Sequence, residues 1–165
     1  MMIDKLKEWL ADYEVKVITR CNFEEVFGVY DTNQDFFLLT QGSVATIESS
    51  AGDVDALPPD CDAGQKLYVG IWQNSRAVAV LDVIERYPEQ TSFWIGLIIV
   101  HGDLQGARLG SAVVDAVIGA AKTVGYETAR LGVVQNNLKG IAFWQRHGFE
   151  TTRTSGDIVV MQKLI

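Results

Sequence analysis

The chain has 165 residues, 48% hydrophobic and 21% charged, a length and balance that suit one ordinary soluble domain over 1–165. Its net charge of -7 opposes nonspecific binding to nucleic acid or to anionic membranes and favours encounter with a cationic substrate. No apolar run approaches the roughly 18 residues of a membrane span, and "MMIDKLKEWLADYE" interleaves charges with apolar residues unlike a signal peptide, so a cytoplasmic location is expected.

Residues 1–65 read as mostly helical and loop-like. "DKLKEWLADY" has helical spacing, "VKVIT" is a short β-type run, and "NFEEVFGVYDTNQDFFLLT" breaks into short helical pieces between turn residues. Cys21 and Cys61 lie in this part with no CxxC and no histidine at ligand spacing, so free thiols and no metal site are expected. "LPPDCDAGQ" marks a loop, since Pro58 and Pro59 cannot continue a helix.

From residue 66 the pattern changes. "KLYVGIW", "RAVAVLDVIER" and "SFWIGLIIV" are rich in β-branched and aromatic residues and are separated by "QNS" and "YPEQT", which predicts an antiparallel meander. The third of these strands is apolar at nearly every position, as suits a strand covered on both faces at the centre of a sheet. Apolar residues at 109, 112, 113, 116, 117, 120, 121 and 124 predict an amphipathic helix ended by Gly125. A strand "TARLGVV", a helix "LKGIAFWQRH" stopped at Gly148, and paired strands "FETTR" and "DIVVMQKL" complete the order.

The junction between the third strand and the long helix, "HGDLQGARLGS", carries the chemistry. A strand running straight into a helix leaves several N–H groups without intrahelical partners at the positive end of the helix dipole, which favours an anion. Gly106 and Gly110 either let a phosphate approach the backbone or merely turn the chain. The Walker A loop is excluded because no Lys follows Gly110, and the dinucleotide GxGxxG spacing is absent.

"IIVHGDLQGARLGSAVVDAV" resembles motif A of the GCN5-related N-acetyltransferases, a strand followed by a Q/R-x-x-G-x-G/A loop, with Gln105 and Gly110 at its first and last positions. Twenty-seven residues beyond Gly110, "NLKGIAFWQRHGF" resembles the second conserved block of that family, N-x-x-A-x-x-F-Y-x-x-x-G-F, through Asn137, Phe143, Gly148 and Phe149. The resemblance covers residues 66 to 165. It implies an α/β fold with a mixed, largely antiparallel central sheet and flanking helices, the acyl-CoA N-acyltransferase architecture, in which "SFWIGLIIV" and "TARLGVV" splay into a V-shaped slot. It further implies acetyl-CoA as co-substrate: main-chain groups of Ile98 and Val100 on the pantetheine amides, Gln105, Gly106, Ala107, Arg108, Leu109, Gly110 and Ser111 around the pyrophosphate, and Asn137 beside the cofactor. Residues 1–65 would then shape the acceptor site.

Two positions depart from that pattern. Arg108 stands at the middle glycine of the loop, so either its backbone reaches a positive φ at a cost of about 1 kcal/mol or the loop is altered. Its guanidinium can itself pair with phosphate oxygens. Trp144 occupies the position where the family often has a tyrosine that protonates the departing thiolate, and an indole N–H donates hydrogen bonds without working as an acid. Removing the acceptor's proton is the larger task. An amine of pKa about 10.4 is neutral in about one molecule in 2,500 at pH 7, equivalent to roughly 4.6 kcal/mol. "SFWIGLIIV" has no carboxylate, so Asp82 and Glu85 on the preceding strand are the candidate bases, with Asp31, Asp35 and Glu48 as weaker ones.

The expected activity is transfer of acetyl from acetyl-CoA to a primary amine of a small molecule or peptide by direct attack, with a cationic acceptor and a homodimer as further expectations. The alternative is a binding module that holds acyl-CoA without turnover, motivated by Arg108 and Trp144.

Overall fold

A computed structural model describes residues 1–165. Helix α1 (Met2–Trp9) and strand β1 (Glu14–Val17) are followed by three short helices, α2 (Phe27–Asp31), α3 (Gln34–Gln41) and α4 (Ile47–Ser50), with 3-10 turns at Phe23–Val26 and Ala51–Val54. Then come β2 (Lys66–Gln73), β3 (Arg76–Glu85), β4 (Ser92–Val100), α5 (Leu109–Val124), β5 (Thr128–Val134), α6 (Leu138–Arg146), β6 (Glu150–Ser155) and β7 (Ile158–Leu164).

Two early elements are shorter than the sequence pattern predicts. Helix α1 stops at Trp9, where the chain turns so that both Leu10 and Val15 reach the core, the Tyr13 N–H bonding the Leu10 carbonyl. Strand β1 ends at Val17 because Asn22 Oδ1 captures the Thr19 N–H at 2.7 Å and bends the chain away.

The seven strands form one sheet in the order β1-β2-β3-β4-β5-β7-β6, so β4 lies at its centre. Every pair is antiparallel except β4 with β5. Strands alternate their side chains between faces, and each face here has its own core. On one, Val69, Ile71, Leu81 and Val83 pack against α1 and the stripe Val113, Ala116, Val117 and Ala120 of α5. On the other, Tyr68, Trp72, Val80 and Ile99 meet Phe23, Val26, Tyr30 and Phe37 of the N-terminal helices. Helix α5 seats closely on α1, since any side chain added at Gly119 would run into the Trp9 ring.

One irregularity opens the sheet. Asp82 pairs with Leu97 and the next residue, Val83, pairs with Ile95, so Gly96 is an extra residue in β4, a β-bulge. Beside it the β4–β5 ladder ends: β5 pairs with β4 only from Ser92↔Thr128 to Ile95↔Leu131, yet follows β7 along its full length. Beyond Gly96 the two central strands therefore part.

Candidate active site

The parted strands leave an edge of β4 without a partner. The His101 N–H bonds Val78 on β3 at 2.8 Å, so by alternation the main-chain groups of Ile98 and Val100 face the opposite, unpaired edge. The Val100 carbonyl there accepts from two side chains, Asn33 Nδ2 at 2.8 Å and Gln105 Nε2 at 3.3 Å. Ile98 and Val100 thus sit in the gap with backbone groups that no strand uses.

From this edge the chain passes through a 3-10 turn at Gly102–Leu104 into α5. The Gln105 N–H bonds Gly102, the Ala107 N–H bonds Leu104, and the Ala112 N–H closes the first turn of α5 on the Arg108 carbonyl. The N–H groups of Gly106, Arg108, Leu109, Gly110 and Ser111 meet no main-chain acceptor. Arg108 adopts φ 64° immediately before α5, a left-handed conformation unusual for a side chain other than glycine. The backbone therefore makes the turn that a glycine would make, with a guanidinium added. A Cβ at Gly110 would lie 3.6 Å from the Phe143 ring, an ordinary contact, so the start of α5 packs closely on α6.

These residues enclose a cavity of about 410 Å³ whose wall includes Arg108 and Arg146 and no acidic residue. In a chain of net charge -7, two arginines and a row of free N–H groups at a helix N-terminus make this the place that electrostatics favours for an anion. A larger cavity of about 840 Å³ adjoins it, sharing Ile98, Val100, Gln105 and Phe143. Its walls come from α3 on one side and α6 on the other, with Asp31 and Asp35 facing Lys139 and Trp144.

Asn137 caps α6, its Oδ1 accepting from the Gly140 N–H at 3.0 Å, and it lines the larger cavity. Trp144 reaches the same cavity and packs edge-on against Phe143 and Phe149, both at ring separations of 5.1 Å. Ser111 pairs with His147 Nε2 at 3.1 Å, joining the start of α5 to the end of α6. Burial, with Lys163 and Arg146 adding to it, pushes the His147 imidazole below its ordinary value, which favours its neutral form.

The sequence profile of the Acetyltransferase (GNAT) family matches residues 3–149. The chain belongs to that family. As a GNAT protein it is an acetyl-CoA-dependent acetyltransferase. Solved structures with the same fold include an acetyltransferase from Thermus thermophilus, with 21% identity, TM-score 0.79, and 93% of this chain and 97% of that one covered. The PaiA N-acetyltransferase of Thermoplasma acidophilum in complex with coenzyme A aligns at TM-score 0.68 and 14% identity over 93% and 99% of the two chains. The ribosomal-protein-S18-alanine N-acetyltransferase of Escherichia coli aligns at TM-score 0.65 and 16% identity over 93% and 94%. No curated protein matches the sequence of this GNAT chain. No helix of it is long and apolar enough to cross a membrane.

The candidate bases of the GNAT site fall in different places. Glu85 pairs in register with Phe93, at the opposite end of β3 from the residues that face Val100, and accepts a 2.8 Å hydrogen bond from the Tyr126 hydroxyl. Val100 lies seven steps along the strand from Phe93, about 23 Å, so the structure does not bring Glu85 to the cleft. Asp82 lies at the bulge instead. Its Oδ2 is 2.5 Å from where a Cβ on Gly96 would stand, and Gly96 itself is exposed. Burial raises the Asp82 carboxyl to about 6, offset in part by Lys66. Asp31 and Asp35 are exposed residues in the lining of the larger cavity, and Glu48 does not line it.

Sequence reading missed Asn33, Arg146 and Lys66. Arg146 had a local signal, one turn after Phe143 on the same helix. Asn33 and Lys66 had none, because their partners lie far away in the chain.

Proposed function

We propose that this acetyltransferase transfers acetyl to a primary amine of a cationic small molecule or peptide, by direct attack of the amine nitrogen on the thioester, with Asp82 as the base. The observation that carries this is the pair of adjoining cavities of different charge: one lined by Arg108 and Arg146 and no acid, the other by Asp31 and Asp35 against the single Lys139, none of these three in an ion pair.

The residues present suit acetyl-CoA. The free N–H groups from Gly106 to Ser111, with Arg108 and Arg146, would hold the pyrophosphate at the N-terminus of α5. The unpaired edge at Ile98 and Val100 would meet the pantetheine amides, and Asn137, whose Nδ2 donates to no protein group, would add a donor from α6. That the PaiA protein of the same fold holds coenzyme A supports this cofactor. When bound, acetyl-CoA supplies an acetyl group already activated as a thioester.

The chain's own residues supply position and proton transfer. Asp31 and Asp35 draw an ammonium into the larger cavity, and its walls align the nitrogen with the gap between β4 and β5. Asp82, two residues along β3 from the partner of Ile99, takes the ammonium proton through a water at the exposed Gly96. A carboxyl raised to about 6 is ionised at neutral pH and a stronger base than an ordinary aspartate.

Thermal unfolding with acetyl-CoA at about 100 times its dissociation constant tests the cofactor site. Binding to the native state alone adds about 2.7 kcal/mol, a midpoint rise of roughly 5 to 11 °C. Thiol release with a panel of amines tests the acceptor: polyamines and basic peptides are expected to saturate, and turnover confined to neutral amines would overturn the cationic assignment.

A further inference from the structure

The two helices that wall the cofactor cleft are joined by a side-chain pair. Ser111 Oγ, in the first turn of α5, lies 3.1 Å from Nε2 of His147, the residue that ends α6. Ser111 lines the cavity that Arg108 and Arg146 share, whereas His147 lies outside its wall. The imidazole is held in place: the Phe143 ring packs on it at a centroid separation of 4.7 Å, and Lys163 Nζ donates to the His147 carbonyl at 2.7 Å. The Ser111 contact is the one hydrogen bond that the imidazole makes within the protein.

A hydroxyl has a single proton, and this ring decides where it points. With no proton on Nε2 the ring accepts the Ser111 hydroxyl proton, which leaves oxygen lone pairs facing the cavity. With a proton on Nε2 the ring donates to Ser111 Oγ, and the hydroxyl proton is free for an anion beside the N–H groups of α5. An anion therefore favours the protonated ring twice, through its charge and through the donor it gains. The charged groups around the ring come from three elements. Asp115, one turn beyond Ser111 on α5, favours the imidazolium, while Arg146 on α6 and Lys163 on β7 oppose it. Burial opposes it most, so the ring of the free protein titrates low and a bound phosphate acts against that bias. His101, the other histidine of the chain, is engaged elsewhere, by Arg76 and by the Asp103 N–H.

We propose that His147 is a positioning residue for the phosphates of acetyl-CoA: acting through Ser111, it takes a proton from solvent when the cofactor binds and turns the Ser111 hydroxyl onto the anion, so that cofactor binding tightens as pH falls. The proposal rests on the pyrophosphate lying at the N-terminus of α5. One solvent proton is gained by the ring on binding and returned on release, and no other bond changes. The ring titrates higher in the complex than in the free protein. The gain in affinity is therefore complete below the free value and is lost as pH rises through the bound one.

Calorimetric titration with acetyl-CoA in two buffers of different ionisation enthalpy counts the protons taken up. The 3′-phosphate of the cofactor itself titrates near neutral pH, and the difference between wild type and variant cancels that contribution. For a shift of about one pH unit, wild type is expected to take up about half a proton more than His147→Gln, and to gain about 3- to 10-fold more affinity between pH 8 and pH 6. The glutamine keeps a neutral hydrogen-bonding group toward Ser111 and cannot titrate. Ser111→Ala is expected to lose the same extra uptake, because the ring then has no hydroxyl to turn. Any other combination overturns the proposal: uptake retained in His147→Gln removes the histidine, and uptake retained only in Ser111→Ala removes the route through the serine. If either variant fails to fold, NMR titration of the His147 ring in wild type decides, an upward shift on adding acetyl-CoA supporting the proposal and an unmoved titration overturning it. Wild type that binds acetyl-CoA with no uptake beyond that of the variants leaves the cofactor site in place and overturns only the role of His147. Wild type that does not bind acetyl-CoA removes the site and the proposal with it.

Discussion

Asn33 Nδ2 donates to the Val100 carbonyl at 2.8 Å, joining residues 67 apart in the chain. The same buried amide donates to Val29 at 2.8 Å and accepts from Gln105 Nε2. One side chain thereby ties the N-terminal helices, the open end of β4 and the loop before α5 together.

Replacing Asn33 by Leu removes these bonds and leaves Gln105 as the only side-chain donor to Val100. The expected loss is about 1 to 3 kcal/mol, at roughly 2 to 4 °C of midpoint per kcal/mol. KM for acetyl-CoA is expected to rise more than kcat falls, because the bond shapes the cofactor edge. Asn33→Asp is expected to be worse, since a carboxylate facing two carbonyls can donate to neither. Thermal melts and initial rates check both, and a wild-type KM in Asn33→Leu would show that the bond only holds the fold.

At Arg108 backbone and side chain separate. Arg108→Gly relieves the left-handed conformation, and Arg108→Ala keeps it, so the glycine variant should be the more stable of the two by about 1 kcal/mol. Both lose the guanidinium and should bind acetyl-CoA about tenfold more weakly, with a shallower salt dependence than wild type. Calorimetric titration at two ionic strengths reads this directly. Equal affinity in all three proteins would assign anion binding to the main chain alone.

Trp144 tests whether the leaving thiolate needs an acid. A thiol of pKa about 8.5 departs readily unprotonated, so Trp144→Phe is expected to keep kcat within about tenfold. Trp144→Tyr should match or exceed wild type. A loss beyond a hundredfold in the phenylalanine variant, with its melting point preserved, would mean that the indole N–H contributes to the reaction.

Asp82 also makes stability depend on pH. Its folded carboxyl, raised to about 6 from 3.8, binds its proton more tightly than in the unfolded chain. The stability it contributes is therefore fully present below pH 3.8 and is lost as pH rises through about 6, roughly 3 kcal/mol in all. The difference in unfolding free energy between wild type and Asp82→Asn should fall across this window. A flat difference would show that Lys66 offsets the burial completely.

Much of the architecture was legible in the sequence because it is written in local patterns. The apolar run Phe93–Val100 marks the central strand, and the stripe from Leu109 to Val124 with Gly125 after it coincides with α5. The junction before α5, with its free N–H groups, was legible for the same reason, since its strand, turn and helix are contiguous. The bases were not. Asp82 and Glu85 lie three residues apart on one strand, yet one meets the bulge and the other Tyr126 at the far end.

Residue order alone is enough to assign strand and helix, the family, and the contiguous loop for an anion, because periodicity, capping and helix-terminus electrostatics act over a few residues. It takes the folded chain to give Arg108 its positive φ, to bulge β4 at Gly96 and part it from β5, and to bring Lys66 onto Asp82 in a buried ion pair. These features depend on register and on burial between segments distant in the chain, which no local pattern encodes.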